Sequence, residues 1–161
     1  MKRTILFIMI LLIAYPAAIA FANDTRTYNY YDLQITTPIN WPEIIDYDYS
    51  TIKMCTLDHR IEMKVGIDNS ETQDEQIAHL EKQTALTGQL EEINDTQIAG
   101  LDTKNIIYCF QAKNNAKLYG SMYIFQSKDY RYYIFAQGLY KNFETDRKTI
   151  DKILSTVKIL K

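Results

Sequence analysis

The chain has 161 residues, with 18 basic side chains against 20 acidic ones and a formal net charge of −2. This length suits one domain, and a hydrophobic content of 47% is typical of globular proteins rather than disordered or polytopic membrane proteins. The basic excess with which nucleic-acid-binding proteins displace counterions is missing. Thirteen tyrosines are the one unusual count. Composition therefore excludes a disordered protein, a polytopic membrane protein and a typical nucleic-acid-binding protein. It does not indicate an activity.

The N-terminal segment has the three parts of a secretory signal peptide. Lys2 and Arg3 precede a ten-residue apolar run, and small residues with A-x-A sites follow up to Ala22. We predict cleavage after Ala22, so that residues 1–22 are the signal peptide and residues 23–161 form one domain in the periplasm or outside the cell. The alternative is a retained membrane anchor, because this uncharged stretch of 18 residues is about long enough to span a bilayer.

Alternation of apolar and polar residues predicts seven β-strands in the exported domain. Turn-forming residues separate several of them, such as the Asp58-His59 pair, Gly100 and the Lys128-Asp129 pair. The predicted strands lie near residues 31–35, 52–54, 61–67, 91–98, 103–111, 117–126 and 131–139.

Two helices are predicted from capping residues and apolar spacing. The first begins at two overlapping capping-box pairs and ends before Gly88, and the second begins after Asn142 and carries an apolar stripe. The capping-box pairs are Ser70 with Gln73 and Thr72 with Glu75, and the stripe consists of Phe143, Ile150, Ile153, Leu154 and Val157.

The character of each strand predicts its position in the sheet. Strands 117–126 and 131–139 are apolar on both faces, so we expect them at the centre with cover on both sides. Strand 91–98 is rich in charged and amide residues, which suits a solvated edge. Two antiparallel meanders would then join through the third and seventh strands. The predicted fold is α+β, an α/β/α sandwich with one antiparallel sheet of about seven strands in the order 1-2-3-7-6-5-4 and helices on both faces.

The order of these elements carries a family resemblance. A strand ends in Pro38, a Trp41-Pro42 step leads into a hairpin and a helix, and a turn at Gly100 opens a strand meander closed by an amphipathic helix. Short local signatures are Pro38-Ile39-Asn40-Trp41 and Ile98-Ala99-Gly100. This layout resembles the PsbP/DcrB-like family of small exported proteins. The resemblance implies an α/β/α scaffold that is reused for binding, and it carries no catalytic residues with it.

The two cysteines are predicted to be free thiols, although an exported protein could form a disulfide. Cys55 and Cys109 lie in inner strands of different meanders, so at least three strand steps separate them. At about 4.8 Å per step the separation is roughly 14 Å, twice the limit of about 7 Å between bridged Cα atoms. A sheet folded back on itself would restore the bridge.

Catalytic and metal-binding motifs are weak in this sequence. His59 and His79 are the only histidines, and neither stands in a recognisable catalytic pattern. Asp58 and His59 supply two metal ligands at most, whereas zinc needs three or four, and phosphate-binding glycine loops are missing. We therefore expect no catalytic residue, no metal and no cofactor. The alternative is a small secreted hydrolase, which would need an acidic pair or a thiol in a cleft, drawn from Cys55, His59, Asp46 or Asp48.

Aromatic residues give the one positive indication of a binding surface. Trp41, Tyr47 and Tyr49 lie on the connection at residues 40–50 rather than on a regular strand, and exposed aromatic residues are enriched at interfaces. We interpret the chain as an exported, soluble, non-catalytic accessory or binding protein of the cell envelope, whose partner is a protein or small ligand. An N-terminally tethered structural protein remains a further alternative.

Overall fold

A computed structural model of the protein describes residues 24–45, 51–69, 72–112 and 114–161. The predicted signal peptide, Ser70 and the segment from Asp46 to Tyr49 lie outside these residues. The strands are β1 (Thr25–Tyr30), β2 (Leu33–Pro38), β3 (Glu43–Ile45), β4 (Thr51–Cys55), β5 (Ile61–Ile67), β6 (Gly88–Ile98), β7 (Leu101–Gln111), β8 (Lys117–Gln126), β9 (Arg131–Leu139) and β10 (Lys158–Ile159). The α-helices are α1 (Gln73–Thr87) and α2 (Phe143–Leu154).

The main sheet is antiparallel and has the order β3-β4-β5-β9-β8-β7-β6. Its six longer strands, from β4 to β6 in this order, are the predicted second to seventh strands in their predicted order. The three-residue β3 extends the edge beside β4. The two central strands, β8 and β9, bury Phe125 and Tyr132 completely, as their apolar composition predicted.

The prediction of one sheet is wrong for the strand near residues 31–35. This strand is β2, and it pairs with β1 and β10 in a separate three-stranded sheet. Leu33 and Ile35 are fully buried in the core that this second sheet shares with the main sheet. The strand was misplaced because alternation reveals that one face of β2 is buried, but not which strands bond to its edges. The sequence pattern also missed β1, whose first three residues are exposed.

The two faces of the main sheet are covered differently. On the inner face, Met63, Tyr119 and Ile134 lie in the core with residues of α2 and of the second sheet. On the outer face, α1 packs against β6 and β7, and Ile106 of β7 and Ile124 of β8 are fully buried. The structure is thus α+β and mostly sheet, with one helix on each face.

The helix ends follow the predicted capping pattern in part. Thr72 donates its backbone N–H to the Glu75 carboxylate at 2.6 Å, and Glu75 donates its own N–H to the Thr72 hydroxyl at 3.2 Å. Asn142 occupies the N-cap of α2, but its side chain makes no capping hydrogen bond. Neither helix in the described part of the chain combines the length and the apolar character that crossing a bilayer requires.

Cys55 and Cys109 are both free and buried, as predicted. Cys55 lies on β4 and Cys109 on β7, which are four strand steps apart in the main sheet. At about 4.8 Å per step, this separation is far beyond the reach of a disulfide.

Candidate functional site

The turn between β4 and β5 carries a group of polar and charged side chains. Thr56 closes the turn with two hydrogen bonds to Ile61. Its backbone N–H donates to the Ile61 carbonyl oxygen at 3.0 Å, and its hydroxyl accepts the Ile61 N–H at 3.1 Å. Asp58 accepts the backbone N–H of Arg60 at 3.1 Å. His59 has a φ of 52°, in the left-handed region. These bonds fix the turn that carries Asp58, His59 and Arg60 at one end of the main sheet.

Two cavities flank this turn and meet at Asp58 and Arg60. One has a volume of 410 Å³ and extends past His59 to Glu62 and Leu139. The other has a volume of 360 Å³ and extends to Trp41 and Leu57. We call the two together the turn cleft.

A buried carboxylate holds Arg60 in the turn cleft. Asp146 of α2 is fully buried, and its Oδ1 lies 3.1 Å from Nε of Arg60. The hydroxyl of Tyr119 donates a hydrogen bond of 3.2 Å to Oδ2 of the same carboxylate. Burial raises the pKa of Asp146, and the Arg60 guanidinium opposes this effect. Arg60 is therefore anchored from inside the core, while its side chain remains 39% exposed.

The remaining charges of the turn cleft are negative. Hydrogen bonds from the Thr56 hydroxyl and the Arg60 amide lower the pKa of Asp58, so this carboxylate stays ionised. The Glu62 carboxylate accepts a hydrogen bond of 2.7 Å from the Gln137 side-chain amide. Because Asp146 balances the charge of Arg60, Asp58 and Glu62 leave the cleft with a negative excess.

Exposed apolar side chains lie beside these charges. Leu57 is 69% exposed and Leu139 is 36% exposed. Each lines one of the two cavities of the turn cleft. The cleft thus combines fixed carboxylates with apolar contact area, which suits a ligand that has both a basic and an apolar part.

Cys55 and His59 form a close pair without the properties of a catalytic thiol. The Cys55 Sγ lies 3.5 Å from the His59 Nδ1. The thiol is fully buried, and burial raises its pKa, to which the nearby Glu62 charge adds. A nucleophilic cysteine needs access to substrate and a lowered pKa. Within the described ranges no three His, Cys, Asp or Glu side chains are grouped to hold a metal ion.

Of the three aromatic residues that the sequence singled out, the structure describes only Trp41. Trp41 is 4% exposed and belongs to the core, although it also lines the turn cleft. Tyr47 and Tyr49 lie outside the described residues. The hypothesis that these residues form a binding surface therefore stays a prediction.

Sequence reasoning missed the buried carboxylate of the site. Asp146 stands three residues after Phe143 and four before Ile150, so it lies on the apolar stripe of α2. An acidic residue on such a stripe signals a buried carboxylate with partners, because an unpaired buried charge is costly. That signal was present in the sequence, but its partner Arg60 could not be identified from it.

Comparisons with known proteins identify the fold. No family model and no curated protein matches the chain, whereas solved structures match it over most of its length. The solution structure of cyanobacterial PsbP (CyanoP) from Synechocystis sp. PCC 6803 is similar with a TM-score of 0.62 and 11% identity, over 84% of this chain and 92% of that one. LpqN of Mycobacterium tuberculosis, described as involved in cell envelope biogenesis, is similar with a TM-score of 0.56 and 9% identity, over 86% and 91% of the two chains.

A third similar structure is PA94, a protein of unknown function from Pseudomonas aeruginosa. It has a TM-score of 0.54 and 11% identity, over 83% of this chain and 95% of that one. At such low identities the likeness shows the fold alone. The predicted resemblance to PsbP/DcrB-like proteins is confirmed at that level.

Proposed function

We propose that the protein is an exported, non-catalytic accessory protein of the cell envelope, which binds its partner through the turn cleft. The observation that carries this proposal is the anchoring of Arg60 by the fully buried Asp146. Burying a carboxylate costs stability unless it is well paired, so a buried carboxylate that holds a cleft-lining arginine favours a functional role for the cleft. The N-terminal pattern of residues 1–22 supports export. LpqN, which shares the fold, is described as involved in cell envelope biogenesis.

The charges of the turn cleft define the chemistry of the partner. Asp58 and Glu62 attract a basic group, and the exposed faces of Leu57 and Leu139 bury an apolar one. We infer a partner segment in which a lysine or arginine lies next to an apolar side chain. Arg60, held in place by Asp146, would orient the segment by donating to its backbone carbonyls.

A thiol hydrolase is the rival function, and one observation favours it. The contact of 3.5 Å between Cys55 Sγ and His59 Nδ1 has the spacing of a thiol and its base. Burial of the thiol and its raised pKa oppose nucleophilic attack, so the non-catalytic function has the stronger support. Screening the protein and its Cys55→Ala variant against a broad panel of hydrolase substrates distinguishes the two. Turnover that is lost in Cys55→Ala would replace the proposal with the rival.

Binding to the turn cleft can be measured with a defined probe. The protein is titrated with a short peptide of alternating lysine and leucine, and binding is monitored by the fluorescence of Trp41, which lines the cleft. The fluorescence change should saturate as the cleft fills. The Asp58→Asn/Glu62→Gln double variant should bind several-fold more weakly, since it removes both carboxylates that attract the basic group. The matched control is Glu144→Gln, which removes one exposed carboxylate on α2. Equal weakening by the control, or no saturation, would contradict the proposal.

The native partner can be located by site-specific photocrosslinking. A photoreactive residue at Leu57 should give one discrete adduct in cells. The same residue at Ile93 is the control, because Ile93 is exposed at 39% on the edge strand β6, outside the turn cleft.

The N-terminal residue of the exported protein, determined in the same cells, tests whether the signal peptide is removed. Asn23 is expected, whereas retention of Lys2 and Arg3 would favour a tethered protein.

A further inference from the structure

We propose that a small cavity on the outer face of the main sheet binds a phosphate or a similar small oxyanion between Lys53 and Lys64. The cavity has a volume of 120 Å³ and lies beside the turn cleft. Its other side-chain walls come from Glu62, Phe135 and Gln137.

The register of the sheet places the two lysines side by side. Lys53 of β4 is directly opposite Lys64 of β5, so both side chains project from the same face. Both residues are partly buried rather than fully exposed. Like charges in directly opposed positions of an antiparallel pair repel each other, and partial burial reduces the screening by water. An anion between the two ammonium groups would relieve this repulsion.

Residues of the described chain do not neutralise this pair. Among the side chains that the structure describes, no carboxylate lies within ion-pair distance of Lys53 or Lys64. Glu62 is the acidic side chain of the cavity, and its Oε2 accepts a hydrogen bond of 2.7 Å from Gln137. Two ammonium groups thus face one carboxylate, and the cavity keeps a positive excess.

The dimensions of the cavity select the class of anion. Pockets for drug-sized ligands measure roughly 300–1,000 Å³, so 120 Å³ suits a single phosphate or carboxylate group rather than a nucleotide. Lysine binds phosphate as a point charge, and two lysines can each donate to a different oxygen of one phosphate. Phe135 pairs with Lys64 across β5 and β9 and forms an apolar wall, which strengthens the electrostatic attraction by excluding water.

The small cavity between Lys53 and Lys64, which we call the oxyanion cavity, and the turn cleft are separate sites. They prefer ligands of opposite charge. Glu62 and Gln137 line both, so their hydrogen bond forms the wall between them. On one side the lysines favour an anion, and on the other Asp58 favours a cation. The proposal for this cavity therefore does not depend on the function proposed for the turn cleft.

Thermal unfolding in phosphate tests the oxyanion site. Sodium phosphate should raise the melting temperature of the wild-type chain by about 3 °C over sodium chloride of the same ionic strength. Lys53→Gln and Lys64→Gln should each abolish this shift. Each variant should also melt higher than the wild type in chloride, because one of two repelling charges is gone. Lys128→Gln, which removes an exposed lysine near the β8–β9 turn, is the matched control and should keep the full phosphate shift.

Two further measurements decide the location and the source of the anion. Amide NMR signals of Lys53, Lys64 and Phe135 should move together on titration with inorganic phosphate. A phosphate shift that is equal in all four proteins, or none beyond that of chloride, would overturn the proposal. So would binding to vesicles of phosphatidic acid that depends on Lys53 and Lys64 without any response to free phosphate, because the site would then recognise a membrane surface.

Discussion

The hydroxyl of Tyr119 donates a hydrogen bond to the carboxylate of Asp146, and both side chains are fully buried. The bond joins the centre of the main sheet to the first turn of α2. The same carboxylate contacts Arg60, so one acidic side chain connects the sheet, the helix and the cleft. Stability measurements on these three residues therefore report directly on the candidate site.

Replacing Tyr119 with phenylalanine should destabilise the protein by about 1–2 kcal/mol. The ring and its packing against Phe143 remain, but the buried carboxylate loses a donor, and unsatisfied buried groups cost about 1–3 kcal/mol. Chemical denaturation measures the change in the free energy of unfolding. Tyr31→Phe is the control, because Tyr31 is 60% exposed and its hydroxyl should contribute almost nothing. Equal losses in the two variants would mean that the bond to Asp146 adds no stability.

The raised pKa of Asp146 predicts a distinct dependence of stability on pH. Burial raises this pKa above the ordinary aspartate value of about 3.9, so the folded state holds the proton more tightly than the unfolded state. The contribution of Asp146 is then most favourable below the ordinary value, and it is lost as the pH rises through the raised one.

Comparison with Asp146→Asn isolates this effect. The unfolding free energy of the wild type minus that of Asp146→Asn should fall as the pH increases through the acid range, and then level off. Asp58 and Glu75, whose pKa values are lowered, have the opposite trend, but they are common to both proteins and cancel in the difference. A difference that rises with pH would show that the ion pair with Arg60 outweighs burial.

The pairing of Gly66 with Tyr133 across β5 and β9 predicts a substitution whose effect on stability changes sign when the tyrosine ring is removed. Gly66 lies directly opposite Tyr133, and a Cβ at Gly66 would overlap the tyrosine ring. Gly66→Ala should therefore destabilise the wild type by about 1 kcal/mol as the ring is displaced. In a Tyr133→Ala background, Gly66→Ala should instead stabilise by about 0.5 kcal/mol, since glycine is unfavourable inside a strand. The double-mutant cycle is measured by denaturation, and additive effects would contradict the ring contact.

The sequence predicted the centre of the main sheet better than its surroundings. Strands β8 and β9 are apolar on both faces, which is a local property, so their central position could be predicted. The second sheet could not, because the partners of β2 depend on contacts with β10 at the other end of the chain. The same limit applies to the site: Asp146 signals burial through its place on the apolar stripe of α2, but only the packing of α2 on the sheet brings it to Arg60.

Both cysteines should titrate as free thiols in denaturant without reductant. The native protein should react with a thiol reagent more slowly by at least about tenfold, because Cys55 and Cys109 are buried and burial raises the pKa of Cys55. A Cys109→Ser variant isolates the reactivity of Cys55. Fast native labelling of that variant would reveal an accessible thiol beside His59 and would strengthen the rival hydrolase. A count of zero thiols in denaturant would contradict the strand order.

Alanine substitution of Trp41 should have a different effect on stability from alanine substitution of Tyr47 or Tyr49. Trp41 is 4% exposed within the core, and truncation of a buried tryptophan costs about 3–5 kcal/mol, so Trp41→Ala should lower the melting temperature strongly. Trp41→Phe, which keeps an aromatic ring, should lose much less. The sequence-based hypothesis of a binding surface at residues 40–50 predicts instead that Tyr47→Ala and Tyr49→Ala weaken partner binding with little change in melting temperature. A large loss of stability in both tyrosine variants would make them core residues and would contradict the hypothesis.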